Sequence, residues 1–130
     1  MAPAVGDELA PRTIESVSPE HMKTMAVVLD DPNKIHTDPE VVKALGMGDR
    51  VINQGPAGLG YLINMLRETA PGARVQDLRV RFTANVFGGD HVVAAGVVEA
   101  VEDGRASCRV WLDVSGGKRA LAGTATLVLD

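Results

Sequence analysis

One short loop of this chain holds the residue types best suited to chemistry. Asp31 and His36 flank the sequence Pro32-Asn33-Lys34-Ile35. A carboxylate and an imidazole on one loop can meet across a reacting atom, activate a water molecule and move a proton. The Asp-Pro-Asn sequence is also a common turn former, in which Asp31 would only accept hydrogen bonds from loop amides. The residues alone leave both roles open.

A second candidate feature is Asn53-Gln54-Gly55-Pro56, where we predict the start of a helix. A helix N-terminus offers free backbone N–H groups and partial positive charge, which suit a developing enolate oxygen. Every helix has such an end, so this feature alone does not establish a site. The glycines that follow lack the strand and the lysine of a phosphate-binding loop. One cysteine and three scattered histidines do not indicate a metal site. We expect His21 and His91 at the surface.

The composition of the 130 residues is that of one ordinary globular domain, which we assign to residues 1–130. Aromatic residues make up 3% and the net charge is −4, so a nucleic-acid partner is not expected. A single cysteine indicates a reducing compartment. The first residues lack the pattern of a signal peptide, and the longest apolar run, Val92–Val98, is too short to cross a membrane. We therefore expect a cytoplasmic protein.

The first half of the chain is predicted to be helical. Ser18-Pro19 and Asp38-Pro39 each place a capping side chain before a proline at the first helical position, and Gly46 is expected to end the second helix. A third, strongly apolar helix runs from Pro56 to the Ala70-Pro71-Gly72 sequence. One apolar face of it is formed by Leu59, Leu62, Ile63 and Leu66. Its interior glycines, Gly58 and Gly60, each cost roughly 1 kcal/mol, which a close approach of a sheet or a ligand would offset.

The second half is predicted to form strands. Apolar and polar residues alternate from Leu78 to Ala84, and three more strand-like segments follow, over 92–101, 106–114 and 121–129. Glycine-rich turns separate all four segments, and connections so short join antiparallel neighbours. We therefore predict an α+β protein, in which a strongly twisted antiparallel meander is covered by the apolar helix.

Three segments of the chain resemble the MaoC-like dehydratases, the family of (R)-specific enoyl-CoA hydratases. Residues 31–36 are similar to the family motif Asp-x-Asn-Pro-(Leu/Ile/Val)-His, and residues 48–55 to the start of its central helix, which usually ends in His-Gly. Residues 81–90 resemble its Arg-Phe-x-x-Pro-Val-x-x-Gly-Asp strand and turn. The resemblance implies a single hot-dog domain, with an antiparallel sheet wrapped around a central helix. It also implies that Asp31 and His36 form a catalytic dyad.

The chain departs from the family pattern at four positions. Asp30 stands where the family usually has glycine, Lys34 and Asn85 replace prolines, and Gln54 replaces histidine. All four departures leave the dyad in place. Asp30 and Lys34 bear on the electrostatics of the dyad, and Gln54 bears on the shape of the oxyanion hole.

The resemblance implies reversible addition of water to a trans-2-enoyl thioester, giving an (R)-3-hydroxyacyl thioester. Asp31 and His36 would hold and activate the water and supply the proton at C2. The backbone N–H of Gly55 would bind the thioester oxygen, and Asn33, beside the dyad, would brace the loop. The acyl group would be carried by CoA or by an acyl carrier protein, and no metal or organic cofactor is expected.

The acyl pocket is expected beside the central helix, where Gly58 and Gly60 leave space and Leu59, Tyr61, Leu62 or Met65 offer walls. Arg79 and Arg81 share the polar face of one strand. They either meet phosphates of the acyl carrier or belong to a solvated surface.

Two alternatives to a hydratase stay open. One is a hot-dog thioesterase, but such enzymes commonly place an acid on the central helix, and here the first acid is Glu68, near its end. The other is an inactive hot-dog subunit that completes a partner's acyl pocket. Because an exposed sheet edge favours association, we expect a homodimer or a heterodimer with a related subunit.

Overall fold

The computed structural model describes residues 3–129 and contains one five-stranded sheet with the strand order β1-β3-β4-β5-β2. All neighbouring strands are antiparallel. The strands are β1 (Arg12–Ile14), β2 (Arg74–Phe82), β3 (Val92–Glu102), β4 (Arg105–Val114) and β5 (Lys118–Val128). The helices are α1 (Pro19–Val28), α2 (Pro39–Ala44) and α3 (Gly55–Thr69), and a 3₁₀ turn covers Lys34–His36. The prediction of an α+β chain with an antiparallel sheet is confirmed.

The predicted caps start the first two helices. The Ser18 side chain accepts a hydrogen bond from the His21 N–H, and the Asp38 carboxylate accepts one from the Glu40 N–H. Gly46 follows α2 with a φ of +68°, a left-handed conformation that glycine adopts without strain. The two capping side chains and the glycine therefore predict both helix starts and the end of α2 correctly.

Helix α3 packs its apolar face against the inner face of the sheet. Leu62, Met65 and Leu66 are fully buried there. A Cβ on Gly58 would lie 3.2 Å from Leu121 Cδ1, so this glycine allows the close approach to the sheet that its position predicts. A Cβ on Gly60 would have no neighbour within 4 Å, so packing against the sheet does not explain the second glycine.

The prediction that all four long strands form a meander is wrong for β2. Strands β3, β4 and β5 follow one another through hairpins, but β2 pairs with β5 and is separated from β3 by two strands. Residues 83–91 carry the chain across the end of the sheet. The Gly88-Gly89 turn exists, with a φ of +85° at Gly89, yet a local turn signal does not determine which strand becomes the neighbour. Strand β1 is also absent from the prediction, because three residues are too few to show an alternating pattern.

No helix within residues 3–129 has the length and apolar character needed to cross a bilayer. The assignment of residues 1–130 to a single domain stays a prediction.

The pairing of β2 with β5 can be tested at Gly123. Gly123 pairs with Val80, and a Cβ at this position would overlap the carbonyl oxygen of Arg79 on β2. We expect Gly123→Ala to lower the free energy of unfolding by about 3 kcal/mol, measured by urea denaturation. Gly60→Ala is the matched control, because its new methyl group meets no neighbour and should stabilise α3 by about 1 kcal/mol. A Gly123→Ala variant as stable as the parent would contradict this strand order.

Candidate active site

The loop after α1 is organised by two short side-chain hydrogen bonds. Asp31 Oδ1 accepts from the Asn33 N–H at 3.0 Å, and Asn33 Oδ1 accepts from the Ile35 N–H at 3.2 Å. The second bond caps the 3₁₀ turn that ends at His36. Asp31 therefore has the turn role that its sequence allows, but this role uses only one carboxylate oxygen.

The other carboxylate oxygen of Asp31 faces His36. Asp31 Oδ2 lies 3.3 Å from His36 Nε2, and the opposite ring nitrogen, Nδ1, lies 2.6 Å from the carbonyl oxygen of Ile52. A carbonyl oxygen only accepts hydrogen bonds, so Nδ1 must carry a proton. In the neutral imidazole, Nε2 then presents its lone pair towards the carboxylate. His36 is 8% exposed, so this arrangement is largely shielded from solvent.

The segment from Ile52 to Gln54 connects the loop to the rest of the site. The Ile52 N–H donates to the Ile35 carbonyl at 2.9 Å, and the Asn53 N–H donates to the Val86 carbonyl at 2.7 Å. Gln54 is buried, and its Nε2 donates to the Met22 carbonyl at 2.7 Å. The start of α3 is therefore held in three places: by the loop that carries His36, by residues 83–91, which cross the end of the sheet (the crossing segment), and by helix α1.

Helix α3 begins at the cavity with a free backbone donor. Among residues 3–129, no acceptor pairs with the N–H of Gly55, the first helical residue, and Pro56 has no N–H. A Cβ on Gly55 would lie 3.1 Å from the Phe82 ring, so only glycine brings the helix this close to the aromatic ring without displacing it. The helix dipole adds partial positive charge at the same point.

A cavity of about 260 Å³ opens between the imidazole and the start of α3. Its apolar walls come from the loop that carries His36, from residues 84–86 after β2, and from strands β2 and β5. The lining residues are Ile35, His36, Ile52, Asn53, Gln54, Gly55, Gly58, Phe82, Ala84, Asn85, Val86 and Leu121. An imidazole and a free backbone donor therefore face one largely apolar space.

Part of the predicted site surrounds this cavity. His36, Gly55 and Gly58 line it, and Asp31 contacts His36 without lining the cavity itself. The remaining predicted binding residues do not line it. Asn33 is exposed on the loop, Leu62 is fully buried in the core, Leu59 packs against the core, and Arg79 and Arg81 are exposed on β2.

Tyr61 lines a second cavity, of about 310 Å³, between α1 and α3. Gly60 and His21 also line it, and Asn53 lies in the walls of both cavities. Burial raises the pKa of Tyr61, although a hydrogen bond from Asn53 Nδ2 opposes this effect. The phenol is therefore neutral at physiological pH.

Sequence reasoning missed several groups that shape the site. The Ile52 carbonyl has no sequence signal, because every residue carries one. Phe82 lies opposite Leu121 on the inner face of its strand, as the alternation predicts, but the residue is 56% exposed because this face borders the cavity there. Leu121 reaches the cavity only because β5 lies beside β2, a pairing that the sequence did not predict.

A family model described as a MaoC like domain matches residues 1–115. The chain belongs to this family. The resemblance in the three sequence segments is thereby confirmed. No curated protein matches the sequence of this chain.

Solved structures of the same fold cover almost the whole chain. The (R)-hydratase from A. caviae involved in PHA biosynthesis superposes with a TM-score of 0.90 at 23% identity, over 98% of this chain and 97% of that one. The ChsH1-ChsH2 complex from Mycobacterium tuberculosis gives 0.87 at 22% identity, with 98% of each chain covered. The truncated HadBC (3R-hydroxyacyl-ACP dehydratase) complex from the same organism gives 0.70 at 18% identity, over 95% and 96%. The hot-dog fold is therefore confirmed.

The four departures from the MaoC-like pattern occupy different environments. Asp30 has a φ of +50°, a left-handed conformation that glycine adopts freely and aspartate tolerates. Lys34 is exposed at the start of the 3₁₀ turn, and Asn85 is exposed at the cavity. Gln54 is buried and uses its amide N–H to hold helix α1. Each substitution is thus compatible with the local backbone.

Asp30, the residue with left-handed backbone before the dyad, provides a test of the conformation of this loop. We expect Asp30→Gly to leave the free energy of unfolding unchanged or raised, and Asp30→Val to lower it by about 1–2 kcal/mol, since a branched residue is strained at this φ. Urea denaturation measures both changes. Asp103 has a φ of +51° in the turn after β3, so the same pair of substitutions there is the matched control for stability alone. An Asp30→Val variant as stable as Asp30→Gly would show that the loop has another conformation.

Proposed function

We propose that the protein catalyses the reversible hydration of a trans-2-enoyl thioester to a 3-hydroxyacyl thioester. The observation that supports this most is the shared cavity: the Asp31–His36 pair lies at one side and the free Gly55 N–H at another. Hydration requires a water molecule near C3, a proton donor near C2 and a donor at the thioester oxygen. These three requirements match the groups that the site presents.

The orientation of His36 supports a specific place for the water. The Ile52 carbonyl holds the proton on Nδ1, so Nε2 and Asp31 Oδ2 face each other as two acceptors when Asp31 is ionised and His36 is neutral. A water molecule that donates one hydrogen to each acceptor satisfies both. Its oxygen lone pair then remains free to attack C3 of an enoyl group bound in the cavity.

The proposed reaction conserves protons. As the water oxygen bonds to C3, one water proton passes to the dyad, and the C2–C3 π electrons move towards the thioester as an enolate. The Gly55 N–H, helped by the dipole of α3, stabilises the charge that develops on the thioester oxygen. The dyad then returns a proton to C2, which completes the 3-hydroxyacyl product. The thioester itself acidifies C2, so the reaction as proposed uses no metal or organic cofactor.

We propose the (R) configuration for the product. Two solved structures of this fold carry names that specify it, an (R)-hydratase and a 3R-hydroxyacyl-ACP dehydratase. The order of Asp31, His36 and Gly55 in this chain follows the family pattern that the sequence shows, so the same face of the enoyl group would meet the water.

The structure gives less support to a thioesterase. The first acidic residue on α3, Glu68, lies in its last turn, is exposed and pairs with Arg12. It lies outside the cavity that contains His36 and Gly55. Hydrolysis would therefore lack the helix carboxylate that the alternative requires.

The catalytic roles of Asp31 and His36 are tested by replacing each residue in turn. Asp31→Asn keeps the acceptor for the Asn33 N–H but removes the base, and His36→Ala removes the other half. Because acid–base groups contribute about 10²- to 10⁴-fold, each variant should lose at least about 100-fold in hydration, and the double variant should lose little more. The rate is followed by the loss of absorbance of a conjugated enoyl-CoA.

His91→Ala is the matched control, because His91 bonds to Ser115 and lines neither cavity. This variant should keep most of the parent activity. A folded His36→Ala variant that hydrates enoyl thioesters at the parent rate would overturn the dyad. Release of free thiol from an acyl-CoA would indicate a thioesterase, and a folded parent protein without either activity would indicate an inactive subunit.

We also propose that the chain pairs through its sheet. In the described part of the chain, β2 has a neighbour on one side only, so the nine residues Arg74–Phe82 form a long free edge. Two of the similar structures are complexes, ChsH1-ChsH2 and HadBC. The partner is a second copy or a related hot-dog subunit.

Light scattering of the purified chain tests this assembly. We expect twice the mass of one chain, with hydratase activity in the same peak. A chain that is monomeric and inactive alone, and gains activity when a related subunit is added, would identify the heterodimer. A stable monomer with full activity would contradict pairing.

A further inference from the structure

The cavity beside His36, here called the first cavity, and the second cavity, between α1 and α3, lie on different faces of helix α3. Gly55 and Gly58 line the first, whereas Ala57, Gly60 and Asn64 line the second. Residues three or four positions apart share a face of a helix. The two sets therefore belong to two faces of α3, and the body of the helix stands between the two cavities.

Asn53 forms the wall between the cavities just before the helix begins. Within residues 3–129, it is the single residue that lines both. Its backbone N–H donates to the Val86 carbonyl at 2.7 Å, so its backbone is held independently of its side chain. The side chain donates through Nδ2 to the Tyr61 hydroxyl at 3.5 Å, and Tyr61 lines the second cavity. Shortening this side chain would therefore join the two cavities and leave the backbone in place.

The lining of the second cavity suits an alkyl chain. No acidic residue, lysine or arginine is among the described residues that line it. Ala57 and Gly60 contribute little bulk, and Met25 on α1 contributes a flexible apolar side chain. A Cβ on Gly60 would meet no atom within 4 Å, so there is open space beside the helix at this point. An apolar chain that reached this cavity would find room and no charge.

The first cavity is small for a ligand site. Its volume is about 260 Å³, whereas pockets for small molecules commonly measure about 300–1,000 Å³. In the proposed reaction it must hold the thioester carbonyl, C2, C3 and the attacking water. The exposed residues Phe82 and Asn85 mark its mouth, through which the arm of the acyl carrier leaves. Little space then remains for acyl carbons beyond C3.

We propose that Asn53 determines the length of the acyl group, so that the protein acts on short-chain enoyl thioesters. The acyl carbons beyond C3 end against the side chain of Asn53. The second cavity is an apolar extension of the acyl site that this side chain closes. The inference rests on the proposed function, because it takes the enoyl group to occupy the first cavity.

The parent protein provides the first test. Its kcat/KM for crotonyl-CoA should exceed that for trans-2-octenoyl-CoA by at least about tenfold, because the last carbons of the octenoyl chain find no buried site. Both rates are followed by the loss of absorbance of the conjugated enoyl group. A kcat/KM for octenoyl-CoA equal to or above that for crotonyl-CoA would overturn the proposal.

Substitution of Asn53 tests the wall itself. Asn53→Ala should raise the ratio of octenoyl to crotonyl kcat/KM about tenfold, the effect of burying roughly two further methylene groups. Asn53→Leu is the matched control, because leucine branches at the same carbon and has as many side-chain heavy atoms. It keeps the wall but loses the bond to Tyr61, so its ratio should equal that of the parent.

The outcome that contradicts this role is an unchanged ratio in Asn53→Ala, with circular dichroism showing an intact fold. Asn53→Ser, which also shortens the side chain, provides the same test if the alanine variant does not fold. A ratio raised as much in Asn53→Leu as in Asn53→Ala would also overturn the proposal, because the hydrogen bond to Tyr61 and not the wall would then limit the chain.

A second substitution locates the longer chain. Gly60→Leu places a side chain in the open space of the second cavity. Combined with Asn53→Ala, it should return the ratio of octenoyl to crotonyl kcat/KM to the parent value. A ratio that stays raised in the double variant would overturn the assignment of the second cavity, because the chain would then take another path.

The same measurements separate this inference from the proposed function. If the parent hydrates neither crotonyl-CoA nor octenoyl-CoA, the proposed function fails. If the parent hydrates both and the folded Asn53→Ala variant keeps the parent ratio, only the role of Asn53 fails.

Discussion

The carbonyl oxygen of Ile52 imposes the constraint on which the site depends. It accepts from His36 Nδ1 at 2.6 Å and so fixes both the tautomer and the direction of the imidazole. The same residue donates its N–H to the loop at Ile35, and two residues later Gln54 holds helix α1. One short extended segment therefore sets the imidazole and the start of α3 relative to each other. A shift of this segment would move the acid–base pair and the helix donor together.

The local elements of the fold were predictable because short-range chemistry determines them. Ser18 and Asp38 supply caps, and Gly46 supplies a left-handed stop; each effect acts within one turn of helix. The place of β2 in the sheet was not predictable in the same way. It depends on residues 83–91 crossing the sheet end, and the turn at Gly88-Gly89 looks the same in a hairpin as in a crossing. Hydrophobic alternation specifies a strand but not its neighbour.

The residues of the candidate site were also predictable only in part. Asp31 and His36 were predicted to act together only through their family pattern, since the residues alone were also compatible with a simple turn. In the structure Asp31 makes both contacts. Leu62 shows the opposite case. Its position on an apolar helix suggested a pocket wall, but a helix packed closely on a sheet buries that side in the core. Helical periodicity identifies the buried face and does not distinguish core from cavity.

A single bulge in β5 determines which of its residues lie on each face of the sheet. Leu112 pairs with Leu121 and Asp113 with Arg119, so Ala120 is an extra residue in the strand. Because of this bulge, Ala120 and Leu121 are both buried, while Arg119 turns outwards over Trp111. The Ala120 carbonyl accepts the N–H groups of Thr83 and Ala84, which anchors the crossing segment that walls the cavity. If Ala120 were instead paired in a regularly alternating strand, Arg119 would share the inner face with Leu121 and point into the core, where an unpaired charge is costly. The bulge therefore allows Leu121 to line the apolar cavity while Arg119, two residues earlier, stays on the outer face and pairs with Asp113.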